Sequence, residues 1–170
     1  LRQFSLQNRA RCRKGRRMLE RELGGTAVEI VTADGGVVWG MHFVADGAGP
    51  QGPTVLRLNG NGEALELTDP SLVADYLGMG INVMLLNYRG VVRSRWPPDV
   101  LAKVMWKVPD HRLLRPMRLG LSVLLHSAPR FFDTCVLTEK EAAILDVEAA
   151  LQYLTVGLGV RRERILVAGH

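Results

Sequence analysis

The stretch that decides the fold is Ile165-Leu166-Val167-Ala168-Gly169-His170, a short apolar run that stops at a glycine. Two earlier runs have the same form: 54–58, followed by Asn59-Gly60-Asn61-Gly62, and 81–86, followed by Asn87-Tyr88-Arg89-Gly90. Continuous apolar runs of this length are typical of strands buried on both faces of a parallel sheet. The sequence therefore predicts three such strands, each with a glycine-containing turn at its carboxyl end.

A hairpin and a helix complete the first half of the chain. Segments 26–31 and 37–44 are rich in β-branched and apolar residues, and Asp34-Gly35-Gly36 between them predicts the turn of an antiparallel hairpin. Asp69-Pro70 predicts a helix start, and Gly78 predicts its end. A helix between two buried strands predicts a parallel pair with a crossover connection, so the fold class is α/β.

A second helix is predicted from the capping box of Thr138 and Glu141 to Gly157. Its apolar face is assigned to four residues at helical spacing: Ile144, Val147, Leu151 and Leu154. Asp146 and Glu148 fall outside this face, which predicts that both carboxylates lie on a solvated surface.

Charge is distributed unevenly along the 170 residues. The net charge of +5 comes from residues 1–25, with eight basic and two acidic side chains, and from 95–133, with seven and three. The remainder is acidic, so a nucleic-acid partner is not expected for the core. Cys12 and Cys135 are far apart and have no neighbouring ligand cluster, which indicates a reducing compartment and neither a disulfide framework nor a zinc site.

Several cofactor-binding classes are excluded by their motifs. Gly60 and Gly62 lie between a strand and a helix, but Leu65 stands where a dinucleotide-binding loop needs its third glycine. There is no phosphate-binding GxxxxGK[ST] loop and no HExxH pair of histidines. We therefore predict neither a metal nor a cofactor. The apolar runs are also too short for a spanning helix.

The order of these features resembles the N-terminal half of the α/β-hydrolase superfamily, over about residues 26–94 and 134–170. A hairpin precedes a strand with Asn59-Gly60-Asn61-Gly62, a strand with Tyr88-Arg89-Gly90-Val91-Val92-Arg93-Ser94, and a strand that ends in Gly169-His170. In that family the last of these strands leads into the nucleophile elbow G-x-S-x-G. The resemblance implies a sheet that is incomplete at the C-terminus, because the chain stops just before the elbow.

The resemblance also implies the roles of individual residues. Asn61 matches the backbone donor of the oxyanion hole, Gly60 gives access to it, and Gly169 and His170 flank the nucleophile, so no catalytic residue lies within the 170 residues. Tyr88, Arg89, Gly90 and Ser94 match the exit turn of the fourth strand, and Ser94 is expected to hold that turn and not to act as nucleophile. Asn59 replaces the family's usual His, and Val92 replaces a Gly.

Two further segments complete the predicted organisation. Residues 1–25 are predicted to be a basic extension with a frayed or surface helix, and 26–170 to be the N-terminal part of the hydrolase domain. The insertion at about 95–133 carries Trp96, Trp106, Phe131 and Phe132 among its cations. It is expected to be an ordinary cap; a lid that touches anionic lipid is the other interpretation.

The function implied is that of a serine esterase, thioesterase or lipase-like acyl hydrolase with a small-molecule or lipid acyl substrate. The location implied is cytoplasmic, and membrane association is the other interpretation. The isolated fragment is expected to be inactive. The alternative is a non-catalytic module of the same fold that binds an anionic membrane surface or partner through its basic tail and insertion.

Overall fold

A mixed sheet forms the centre of the computed structural model, which describes residues 6–59, 63–97 and 139–169. The helices and strands of these ranges are α1 (Leu6–Glu22), β1 (Thr26–Val31), β2 (Val37–Phe43), β3 (Thr54–Leu58), α2 (Pro70–Gly78), β4 (Asn82–Asn87), α3 (Glu139–Gln152) and β5 (Ile165–Ala168). Short 3-10 turns lie at Leu65–Leu67 and Arg162–Arg164, and α3 continues into a π-helical turn, Tyr153–Gly157.

The strand order within the described residues is β1-β2-β4-β3-β5. β2 is antiparallel to both β1 and β4, whereas β3 is parallel to its two neighbours, β4 and β5. An antiparallel hairpin followed by parallel strands with crossover helices is the predicted fold class, and it is confirmed.

Most predicted boundaries agree with the structure. β1, β3 and β5 have their predicted limits, and α2 begins where the Asp69 carboxylate accepts a hydrogen bond of 3.0 Å from the Ser71 N–H. β4 lies one residue later than predicted because Asn87 still pairs with Trp39 of β2. The predicted capping residue Thr138 lies outside the described residues, as does the insertion from residue 98 onward.

The two faces of the sheet are covered by different helices. On one face α1 and α2 bury a cluster made of Leu19, Trp39, Met41, Phe43, Val55, Leu65, Val73, Val83 and Leu85. On the other face α3 buries a cluster made of Ile30, Val38, Leu56, Met84, Leu86, Ala149, Ala150 and Leu154. Residues that alternate along β2 and β4 thus enter opposite cores, as the period of two in a strand requires. No helix in the described ranges is both long enough and apolar enough to cross a membrane.

The basic helix α1 packs one of its faces against the domain, a burial that the prediction of a frayed or surface helix did not include. Cys12, a free thiol, is 4% exposed, and Leu19 is fully buried. Gly15 lies between them on the same face, and a Cβ there would come within 1.8 Å of the Glu66 carbonyl oxygen. Only glycine therefore lets the α1 backbone approach the turn Leu65–Leu67 this closely.

Candidate functional site at the carboxyl edge of the sheet

The three parallel strands end at one edge of the sheet. Leu58 of β3 is opposite Leu86 of β4, and Arg57 of β3 is opposite Ala168 of β5. Because the strands run in the same direction, the turns that follow them begin at the same level. In open α/β sheets this edge is where ligands bind, and it is the candidate functional site of the chain.

The predicted oxyanion-hole residues Gly60 and Asn61, and the predicted elbow residue His170, lie outside the described residues. Their flanking residues are described. Asn59 is 6% exposed, and its side-chain nitrogen has no hydrogen-bond partner in the described part of the chain. Gly169 is exposed, and a Cβ there would make ordinary contact, 3.8 Å, with the Leu58 Cβ.

The connection that follows this turn is held by the Asn87 side chain at the end of β4. Its amide oxygen accepts a 2.8 Å hydrogen bond from the Leu65 N–H, and its amide nitrogen donates a 3.0 Å bond to the Glu66 carboxylate. Both Asn87 and Glu66 are buried. The β3–α2 connection is thereby attached to the carboxyl end of β4.

The exit turn of β4 folds back on the sheet through Ser94. The Ser94 hydroxyl donates to the Asn87 carbonyl and accepts from the Trp39 N–H, each at 2.8 Å, and the residue is 6% exposed. Gly90 has φ of 80° and Val92 has φ of 49°. A β-branched residue is strained at positive φ, so the Val that replaces a Gly in the family pattern adopts the conformation that glycine would take without strain.

Arg89 forms the centre of a buried charge cluster, which we call the Arg89 cluster: Asp34, Arg89 and Asp146. The guanidinium contacts Asp34 at 2.6 Å and Asp146 at 2.7 Å, and the Arg89 backbone N–H donates to the other Asp146 oxygen at 2.8 Å. The side chains of Arg89 and Asp146 are 2% and 0% exposed. The Trp96 ring centroid lies 5.3 Å from the guanidinium carbon, within cation–π range.

Asp146 is therefore not on a solvated helix surface, and that prediction is wrong. The buried face of α3 carries Ala142, Asp146, Ala149 and Ala150, and it continues to Leu154 in the π-helical turn. Ile144, assigned to the apolar face, is 47% exposed, and Glu148 is exposed as predicted. The spacing of the small alanines around Asp146 is the signal that could have found this face, because it repeats at helical intervals.

Burial and pairing act against each other in the Arg89 cluster. Desolvation raises the pKa of Asp146, and its hydrogen bonds from Arg89 offset only part of that effect. Desolvation also opposes ionisation of Asp34, but the hydrogen bonds from Arg89 and Thr32 outweigh it and lower its pKa. The guanidinium is engaged on both sides, so the cluster ties the hairpin turn, the β4 exit turn and α3 together.

Comparison with known proteins places this sheet among those of known hydrolases. No protein-family model and no curated protein matches the chain. Among solved structures, a prolyl endopeptidase matches with a TM-score of 0.54 and 18% identity over 85% of this chain and 17% of its own. The Pyrococcus furiosus esterase Pf2001 matches with a TM-score of 0.52 and 18% identity over 88% of this chain and 43% of its own. The chain has the α/β-hydrolase fold.

A third solved structure matches over a similar share of this chain. DcsB, solved in complex with its substrate analogue, matches at a TM-score of 0.51 and 16% identity over 85% of this chain and 37% of its own. The chain thus spans less than half the length of these three structures. Matches with 16–18% identity establish the fold alone. The fold implied by the resemblance, which was predicted from the order of sequence features, is therefore confirmed.

Glu66 is, with Asp146, a second carboxylate that is buried among the described residues of the α/β-hydrolase sheet and its turns. Burial raises its pKa, and the opposing hydrogen bond from Asn87 and the charges of Arg16 and Arg93 do not compensate for it. In the described residues no group of three or more His, Cys, Asp or Glu side chains could hold a metal ion. The Glu66 carboxylate holds the β3–α2 connection through the hydrogen bond that it accepts from Asn87.

We expect Glu66→Gln to stabilise the protein relative to the wild type at neutral pH and less so in acid. The folded-state pKa of Glu66 lies above its usual 4.5, so its favourable contribution is complete below that value and is lost as the pH rises through the folded-state pKa. A glutamine oxygen still accepts from Asn87 and does not titrate. Urea unfolding at about pH 4 and about pH 7.5 measures the difference. If the difference in free energy of unfolding between Glu66→Gln and the wild type is smaller at about pH 7.5 than at about pH 4, the raised pKa of Glu66 is contradicted.

Proposed function

We propose that the chain forms the N-terminal part of a serine hydrolase that cleaves an ester or thioester, with its nucleophile directly after His170. The observation that carries the proposal is the register of β3 and β5, in which Arg57 is opposite Ala168. The turn 59–62 and the chain that follows Gly169 therefore start side by side. An acyl hydrolase requires this adjacency, because an oxyanion donor must lie about 3 Å from the reacting carbonyl oxygen.

In the proposed reaction a serine hydroxyl attacks the acyl carbon while a histidine accepts its proton. The oxyanion that forms receives hydrogen bonds from the Asn61 backbone N–H and from the N–H of the residue after the nucleophile. The histidine then protonates the leaving group, and water releases the acyl group by the same sequence of steps. The acid and the histidine follow the nucleophile in the chain order of this fold.

Asn59 and Gly60, which precede the proposed oxyanion donor, are proposed to assist substrate binding and not to transfer protons. Asn59 cannot transfer protons at neutral pH, so it supplies no acid or base to the reaction. Its buried amide nitrogen, without a partner in the described residues, is free to donate a hydrogen bond at the edge where the acyl group would bind. Gly60 permits the backbone to approach the substrate closely.

The experiment uses the protein expressed with its complete natural sequence and a fluorophosphonate probe, which labels activated serines. We expect the codon after His170 to encode serine and its replacement by alanine to abolish labelling. Ser94→Ala is the matched control, because Ser94 is buried and bonded on both sides, and it should keep the label in whatever protein remains folded. Residues 1–170 alone should show no labelling.

Two outcomes would overturn the proposal: a residue other than serine after His170, or loss of labelling in folded Ser94→Ala. The substrate class is then tested with a short p-nitrophenyl ester, an acyl thioester and a proline-containing peptide. Turnover of the ester or thioester, and not of the peptide, is expected. Preferential cleavage of the peptide would agree with a serine hydrolase but would contradict the proposed ester or thioester substrate.

A further inference from the structure

The packing of α1 fixes which of its faces is available to a partner. Cys12, Gly15 and Leu19 face the domain, with Gly15 against the backbone of Glu66. An α-helix turns by about 100° per residue, so the side of α1 opposite these three residues carries Arg13, Lys14, Arg17 and Arg21. All four of these side chains are exposed. We call these four residues the α1 basic face.

The charges of the α1 basic face are not neutralised within the described structure. None of its four members forms an ion pair with another described residue, whereas Arg16, on the flank, pairs with Glu20 at 3.7 Å. Lys14, Arg17 and Arg21 follow one another at intervals of three and four residues, so they form a row about 10 Å long. Four like charges on one rigid face are a surface for an extended anionic partner.

We propose that the α1 basic face binds an anionic membrane surface. A row of cations on the outer side of a docked helix can contact several lipid headgroups at once, and each Lys or Arg near such a surface contributes about a fivefold factor in partitioning. A single-stranded nucleic acid is disfavoured because residues 10–22 contain no aromatic side chain on which a base could stack. This interaction is independent of the proposed hydrolase activity.

The test is co-sedimentation of the complete protein with phosphatidylcholine vesicles with and without about 30 mol% phosphatidylserine. The variant Arg17→Gln/Arg21→Gln removes two charges from the α1 basic face, and we expect its partitioning to fall by about 25-fold. Arg162→Gln/Arg164→Gln is the matched control: it removes two exposed charges beside β5 and should bind like the wild type. Raising the salt from about 0.1 M to about 0.5 M should weaken wild-type binding.

Circular dichroism establishes that each variant is folded before its binding is compared. Equal binding by the two double variants would overturn the proposal, because the effect would then come from net charge alone. Binding that does not depend on phosphatidylserine would also overturn it. A single-stranded or duplex oligonucleotide that binds more tightly than the vesicles, and loses affinity in Arg17→Gln/Arg21→Gln, would assign the face to nucleic acid instead.

Discussion

Asp146→Ala is expected to lower the free energy of unfolding by about 3–5 kcal/mol. The substitution leaves the Arg89 guanidinium, 2% exposed, without one of its two carboxylates, and it removes the acceptor of the Arg89 backbone N–H. A buried charge that loses its partner cannot be rehydrated without opening the fold, so the cost exceeds what the ion pair itself contributes. Urea unfolding followed by tryptophan fluorescence measures the loss.

The control for this prediction lies two residues further along the same helix. Glu148→Ala removes an exposed carboxylate from α3 and should change the free energy of unfolding by no more than about 0.5 kcal/mol. The double variant Arg89→Met/Asp146→Leu should be more stable than Asp146→Ala, because it removes both fully buried charges. Asp34 also loses its partner in this variant, but its side chain is 23% exposed and can be hydrated. Equal midpoints for Asp146→Ala and Glu148→Ala would show that the Arg89 cluster contributes nothing to stability.

The sheet could be predicted from the sequence because its signals are local. An apolar run bounded by glycine or asparagine is sufficient to define β3 or β5, and a hairpin turn is sufficient to join β1 and β2. Asp146 could not be predicted in this way. Its partner Arg89 is distant in the chain, as is Asp34, the second carboxylate on that guanidinium. A carboxylate on a helix is ordinarily on the solvated side, so only the folded arrangement identifies Asp146 as buried.

The buried face of α1 also depends on a contact between residues that are distant in the chain, which explains why it was not predicted. Its sequence is dominated by charge, and a docked face made of a cysteine, a glycine and a leucine gives little periodic signal. What allows docking is the missing Cβ of Gly15 opposite the Glu66 carbonyl. That requirement arises from a residue in another element, so no pattern within α1 itself contains it.

The largest effect on the proposed chemistry is expected from Asn61→Pro, which should lower kcat for an acyl ester by about 10²–10³-fold. Proline has no backbone N–H, so the substitution deletes the proposed oxyanion donor. Asn61→Ala is the matched control: it removes the side chain, keeps the N–H and should retain most of the activity. This pair separates a backbone donor from a side-chain donor, which no single substitution at this position can do.

A second set of measurements distinguishes loss of the backbone donor from disruption of the turn by proline. If Asn61→Pro acts by removing the donor, its unfolding midpoint should remain close to that of Asn61→Ala, and KM should change far less than kcat, because the oxyanion forms only after substrate has bound. A large loss of activity in Asn61→Ala as well would assign the donor to the side chain. Full activity in Asn61→Pro would remove residue 61 from the oxyanion hole.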